Sequence, residues 1–204
     1  MIAIVDYGVG NLYSLTCSLQ HIGAECAVTR DEATLRAADR VILPGVGAFG
    51  DAADKLRQLK LDDLLRSLAA QGKPLMGVCL GMQLLFDEGL EYGVHRGLGL
   101  IHGRVVPLAP VAQGLKVPHM GWNSLDIRKP EDPLMAGIQP GDFVYYVHSF
   151  YAAECESALV ATSRYGAEVA GVVRNGNVCG TQFHPEKSGE VGLRILASFA
   201  KGVA

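Results

Sequence analysis

Cys79, His184 and Glu186 have the types of a nucleophile, a base and an orienting acid, and each sits in a local pattern that suits the role. Cys79 lies in "GVCLGMQLLF" (77–86), with Gly77 and Gly81 two residues to either side. Gly-x-nucleophile-x-Gly at a strand-to-helix turn is the nucleophile elbow of α/β enzymes, here with Cys in place of Ser. Positions two before and two after the nucleophile crowd one another in so tight a turn, and glycines have no side chains to clash. The elbow raises the side chain at the carboxyl ends of the strands, where open α/β sheets place their ligands. It also sets the sulfur at a helix N-terminus, whose dipole favours a thiolate, with the Leu80 N–H pointing toward any oxyanion formed there. A core cysteine acting as a small hydrophobe is the competing reading, since two glycines can also serve sheet–helix packing.

"GTQFHPEKS" (180–188) offers a proton shuttle. Pro185 biases His184 toward extended geometry, and side chains two apart in an extended chain share a face. Glu186 is therefore expected beside the imidazole, orienting it and stabilising its cation. The competing reading is a strand-end histidine satisfied by a nearby acid. Elbow cysteine and His-x-Glu together have the logic of covalent catalysis, and their separation along the chain is normal for such groups.

The elements that must position these groups alternate. "IAIVDY" (2–7), "CAVT" (26–29), "RVILPG" (40–45) and "PLMGVC" (74–79) read as short buried strands. Asn11 is expected to cap a helix carrying Leu12, Leu15, Leu19 and Ile22 on one face. Helices are expected around 50–59, 61–71 and 80–87. This alternation argues for a parallel sheet covered on both faces. The second half is strand-rich, with 144–151, 158–164 and 168–185 as strands. Asn175-Gly176 predicts a type I′ hairpin turn in the last of these, and an amphipathic helix follows from about 188 to 200. The expectation is one α/β domain over 1–204, mostly parallel, with an antiparallel extension in the C-terminal half.

Composition narrows the function classes. A formal charge of −3 over 204 residues gives no basic excess for nucleic acid or an anionic membrane. No apolar run approaches the roughly 20 residues needed to span a bilayer, and "MIAIVDYGVG" has no cationic stretch of a signal peptide. A cytoplasmic protein is expected. Five cysteines with no CxxC pair suggest neither a disulfide framework nor a zinc site. His21, His95, His102, His119 and His148 show no ligand spacing, so no metal is expected. Gly8-Val9-Gly10 lacks the third glycine of the dinucleotide fingerprint, Tyr13 standing in its place, and there is no Walker lysine. Trp122, the single tryptophan, is a core residue or, in its Gly/Asn-flanked loop, an interface anchor.

"GVCLGMQLLF" and "FHPE" resemble the class I, triad-type glutamine amidotransferases, over nearly the whole chain. "VDYGVGNLYS" (5–14), "LPGVGAFGD" (43–51), "PHMGWN" (118–123) and "YYVHSFY" (145–151) resemble more narrowly the branch that supplies ammonia to imidazole glycerol phosphate synthesis. The resemblance implies a flavodoxin-like fold and no cofactor. It implies that Cys79 attacks the side-chain amide of glutamine, with His184 as base and Glu186 holding the histidine. Leu80 would supply one oxyanion donor and the Pro44-Gly45-Val46-Gly47 strand the second, which a reversible Gly45–Val46 peptide would withhold in an isolated subunit. Gln83, Ser149 and Phe150 would hold the substrate. Asn11, Trp122, Asn123 and Lys187 would face a (β/α)₈-barrel cyclase partner in a heterodimer. A lone γ-glutamyl hydrolase and a non-catalytic flavodoxin-like binding module are the alternatives. "PHMGWN" argues against the first and His-x-Glu against the second.

Overall fold

A computed structural model describes residues 1–202. The first half runs β1 (Ile2–Val5), α1 (Leu12–His21), β2 (Cys26–Thr29), α2 (Glu32–Ala37), β3 (Arg40–Leu43), α3 (Phe49–Gln58), α4 (Leu61–Ala70), β4 (Leu75–Val78) and the single turn α5 (Leu80–Gln83). The second half contains β5 (Glu88–Gly89), β6 (His95–Arg96), β7 (Arg104–Pro107), β8 (His119–Ser124), β9 (Asp126–Ile127), β10 (Phe143–His148) and β11 (Phe150–Ala153). It ends with β12 (Leu159–Tyr165), β13 (Ala167–Asn175), β14 (Val178–Thr181) and α6 (Gly189–Lys201).

The main sheet has the order β2-β1-β3-β4-β14-β13-β12-β9, parallel from β2 through β14 and antiparallel beyond. Its parallel strands are apolar at nearly every position because both faces are covered. Ala3, Val5, Val41 and Leu43 pack with Leu56, Leu65 and Leu68 of α3 and α4 on one face. Ile2, Ile4, Ile42 and Met76 pack with Leu15, Leu19, Ile195 and Phe199 of α1 and α6 on the other. Two smaller sheets, β10-β8 and β11-β7-β5-β6, complete the architecture. Among the described residues no helix is long and apolar enough to cross a membrane.

Four expectations need correction. The helix after Cys79 ends at Gln83 and not near Asp87. The carbonyls of Leu84, Leu85, Phe86 and Asp87 accept hydrogen bonds from the backbone at 97–101 (Leu98 N to Leu84 O, 2.8 Å), which displaces the helical ladder. One turn also carries little of the dipole that a longer helix would supply. The strand expected over 144–151 is two strands in different sheets, β10 on β8 and β11 on β7, parted at Ser149. The hairpin register lies one residue on: Asn175 pairs with Val178, so Gly176 and Asn177 are the central residues. Of the two only Gly176 has a positive φ (+56°), the pattern of a II′ turn and not I′. Asn11 precedes α1 without capping it by its side chain, which donates instead to Glu186 Oε1 at 3.4 Å.

Candidate active site

Cys79 and His184 meet because their strands are neighbours. β4 pairs in parallel with β14, Val78 opposite Thr181, and Cys79 N–H continues the ladder to Thr181 O at 2.8 Å. The two chains then leave the sheet side by side. Cys79 takes φ +54°, ψ −112°, a conformation most L-residues avoid. The surroundings enforce it. A Cβ on Gly77 would lie 2.5 Å from Met82 Cα, and one on Gly81 would overlap the Leu43 carbonyl oxygen of β3. The two positions do crowd one another, a Cβ on Gly77 lying 2.6 Å from Gly81 O, and Gly81 must also be glycine because the elbow sits on the neighbouring strand.

His184 is buried, and its Nδ1 lies 2.9 Å from Glu186 Oε1, both side chains about 2% exposed. The same-face argument gives the right neighbour by the wrong geometry, because Pro185–Lys187 is a turn of 3₁₀ helix and not extended chain. Ser188 Oγ donates to His184 O at 2.6 Å and accepts from Tyr145 N–H at 3.0 Å, fixing the turn against β10. Burial alone would pull the imidazole down. Its interactions with the Cys79 thiol and the Glu186 carboxylate outweigh that and lift it from 6.5 to about 9. Among the described residues, imidazole Nε2 has no hydrogen-bond partner, and neither has Glu186 Oε2.

A cavity of about 310 Å³ opens beside the sulfur. Its lining includes Cys79, Leu80, Gln83 and His184, Val46 and Gly47, and the stretch Val147, His148, Ser149 and Phe150. Buried Gln83 donates through Nε2 to Phe150 O (2.9 Å) and to Gln182 Oε1 (3.0 Å). Gln182 Nε2 in turn lies 3.9 Å from Cys79 Sγ. Tyr7 OH donates to Pro44 O at 2.8 Å and so fixes the start of the 44–47 segment. Gly45 lies at its buried side, where a Cβ would meet Gly81 N at 2.7 Å.

The structure brings the three triad candidates, the oxyanion candidates and the substrate candidates to one place. The interface candidates are dispersed around it. Trp122 is 55% exposed and packs edge-on against Tyr145, their ring centroids 6.0 Å apart. Lys187 is exposed, whereas Asn11 and Asn123 are half-buried, Asn123 donating to Arg164 O at 3.1 Å. Pro118, Val147 and His148 also line the cavity, within the segments "PHMGWN" and "YYVHSFY" that carry the resemblance, whereas Glu91 lies outside every segment the sequence reading singled out. Glu91 is the one acid among the lining residues, and its Oε2 accepts the first N–H of α3, Phe49 N, at 2.7 Å. No local pattern marks a loop glutamate of this kind.

A thiol at a strained elbow, an imidazole held by a carboxylate and a cavity with one acid can form and hydrolyse an acyl thioester of an amino-acid side chain. The glutamine amidotransferase class-I family model matches residues 3–202. Curated relatives described as "Imidazole glycerol phosphate synthase subunit HisH" match at nearly full length. That of Bacillus cereus is 50% identical (98% of this chain, 93% of the relative), and that of Rhodopirellula baltica 46% (98% and 97%). Among solved structures, PurLQS from Thermotoga maritima superposes with a TM-score of 0.77 at 23% identity, covering 98% of this chain and 97% of that one. A glutamine amidotransferase crystal structure gives 0.76 at 21%, covering 99% and 100%. The chain belongs to the class-I glutamine amidotransferase family and, within it, to the HisH subunits of imidazole glycerol phosphate synthase.

Proposed function

We propose that the whole chain, 1–204, acts as a single cytoplasmic glutaminase domain whose chemistry is carried by Cys79, His184 and Glu186. The protein is the glutamine amidotransferase subunit of imidazole glycerol phosphate synthase and serves histidine biosynthesis. The Cys79 thiolate attacks the side-chain amide carbon of glutamine, and the His184 imidazolium delivers its proton to the leaving ammonia. The γ-glutamyl thioester that remains is hydrolysed by a water that gives its proton to His184, releasing glutamate and restoring the thiol. Glu186 keeps the imidazole aligned and stabilises its cation. Leu80 N–H, the first of α5 and without an intrahelical partner, stabilises the oxyanion. The second donor comes from Gly45–Val46–Gly47, where glycines let the Gly45–Val46 peptide reverse. Gln83, Ser149 and Phe150 hold the substrate, and Glu91 supplies the negative charge for its α-ammonium group. The ammonia passes to a (β/α)₈-barrel cyclase subunit, docked over Asn11, Trp122, Asn123 and Lys187, which makes imidazole glycerol phosphate and an aminoimidazole carboxamide ribotide.

The observation that carries this reading is the 2.9 Å contact of His184 with buried Glu186 at a cavity shared with Cys79. Cys79→Ser tests it. Glutamine-dependent synthesis by the two-subunit enzyme should disappear while synthesis from added ammonium salts persists. Loss of both in a folded, partner-bound variant would refute the division of labour, and retention of both would refute the nucleophile.

A further inference from the structure

His119 and His148 face each other as a register pair across β8 and β10, with His119 Nδ1 2.9 Å from His148 Nε2. Their protons are assigned by what lies at each end. His148 Nδ1 is 2.8 Å from Phe150 O, and a carbonyl can only accept, so Nδ1 carries the hydrogen. His148 Nε2 must then accept from His119 Nδ1–H. His119 Nε2 is left to accept from Asn123 Nδ2 at 3.3 Å, and the amide's second N–H goes to Arg164 O. The series requires both rings neutral. Burial draws His119 down to about 4. Burial, reinforced by the neighbouring His119 and His184, draws His148 to about 3 against the opposing effect of the Phe150 bond. The His119 ring is also clamped between Tyr146 and Tyr165, at centroid distances of 4.5 and 3.9 Å and interplanar angles of 20°.

The inner end of this series bears on the cavity. The chain changes sheets at Ser149, and Phe150, on entering β11, has Pro107 as its register partner. Proline has no N–H to give. Phe150 O is held instead by two side chains, Gln83 Nε2 and His148 Nδ1. The outer end lies in β8, beside exposed Met120 and Trp122.

We propose that His148 and His119 are positioning residues for glutamine: a fixed-tautomer relay that sets the Ser149–Phe150 backbone at the cavity and anchors it to the exposed strand β8. This rests on the reading that the cavity beside Cys79 takes glutamine. His148→Phe removes both ring nitrogens, whereas His148→Asn keeps a donor where Nδ1 stands. His119→Phe keeps an aromatic ring between the two tyrosines and removes the links to His148 and to Asn123. In the two-subunit enzyme His148→Phe should raise KM for glutamine about tenfold, the worth of one well-placed hydrogen bond, with ammonium-driven synthesis unchanged. His148→Asn should recover most of that rise, and His119→Phe should fall between the wild type and His148→Phe. An unchanged KM in His148→Phe, or a His148→Asn variant as impaired as His148→Phe at equal thermal stability, would overturn the proposal. The relay is also visible without turnover, in the ¹⁵N spectrum of the imidazoles of the wild-type protein. Both rings should be neutral Nδ1–H tautomers between pH 6 and 8. An imidazolium or an Nε2–H tautomer at either position would overturn the relay whatever the cavity binds. Absent glutamine turnover in the wild type, with the tautomers as stated, would fault the functional reading and leave the relay standing.

Discussion

Gly81→Ala puts the elbow geometry to its sharpest test. The added Cβ would overlap the Leu43 carbonyl oxygen and lie 2.8 Å from Leu43 C and 3.1 Å from Pro44 C. Carbon atoms rest about 3.5–4.0 Å apart, so the start of α5 and the end of β3 must separate by about 1 Å. Every atom in the way is backbone, and no rotamer change relieves the collision. Overpacking costs about 1–3 kcal/mol where neighbours can adjust, so a loss of about 3 kcal/mol is expected here. With a urea slope of about 1–3 kcal/mol per molar, the denaturation midpoint should fall by about 1 M or more. The displacement reaches the adjoining Leu80 on one side and the Pro44–Gly47 segment on the other, the two sources proposed for oxyanion donors. A misplacement of about 1 Å costs about 10²-fold in rate. The assays are a urea titration of the free subunit and glutamine-dependent against ammonium-dependent synthesis by the assembled enzyme. A Gly81→Ala protein with the wild-type midpoint and glutamine turnover within about twofold would refute the argument that the elbow is seated on β3.

Glu186→Gln removes one of the groups that lift His184 from 6.5 to about 9. A pKa raised on folding adds stability that is complete below pH 6.5 and is lost as pH climbs through about 9. The wild-type Tm should therefore fall more steeply between pH 7 and 10 than that of Glu186→Gln, and equal slopes would sink the assignment. Asp132, 5% exposed at its side chain, is held by Arg174 through contacts of 2.6 and 3.0 Å. Arg174→Ala should cost about 3 kcal/mol by stranding that carboxylate, while Arg174→Met with Asp132→Leu should cost less than Arg174→Ala alone; denaturant midpoints decide. Trp122→Ala should leave the stability of the free subunit nearly unchanged, the ring being 55% exposed. It should weaken association with the proposed cyclase partner about tenfold or more, and an unchanged affinity by calorimetry would remove Trp122 from the interface.

The parallel half of the fold was legible because strands buried on both faces are continuous apolar runs, and those of β1, β3 and β4 are bounded by glycine or proline. The elbow was legible for a related reason: a glycine forced by a backbone collision leaves a mark in the sequence. What failed depends on distant partners. The periodicity of "LGMQLLFD" is helical throughout, yet the carbonyls of 84–87 are taken by 97–101, a competition no local window contains. The aromatic alternation of "YYVHSFY" runs unbroken across Ser149, although the chain changes sheets there. His119 and His148 share no local pattern, because only the register of β8 on β10 makes them a pair. Asn11 has the residue type of a helix cap, but buried Glu186 competes for its amide.

Burial pushes His119, His148 and His184 all down, and what sets His184 apart is the charge it meets. His184 has a carboxylate on Nδ1 and the Cys79 thiol near it, so its cation is compensated on both sides. His148 meets a carbonyl and another imidazole, and the cation of His184 itself helps to keep it neutral. Environments that push titratable groups apart divide proton transfer from positioning. A proton is favoured on His184 and disfavoured on His148, where it would break the bond from His119. The charge at His184 and Glu186 thus supports the hydrogen-bond order of the relay that holds the Ser149–Phe150 backbone. Protonation of His184 and neutrality of His148 are one electrostatic arrangement, so a variant that neutralises His184 should make His148 easier to protonate.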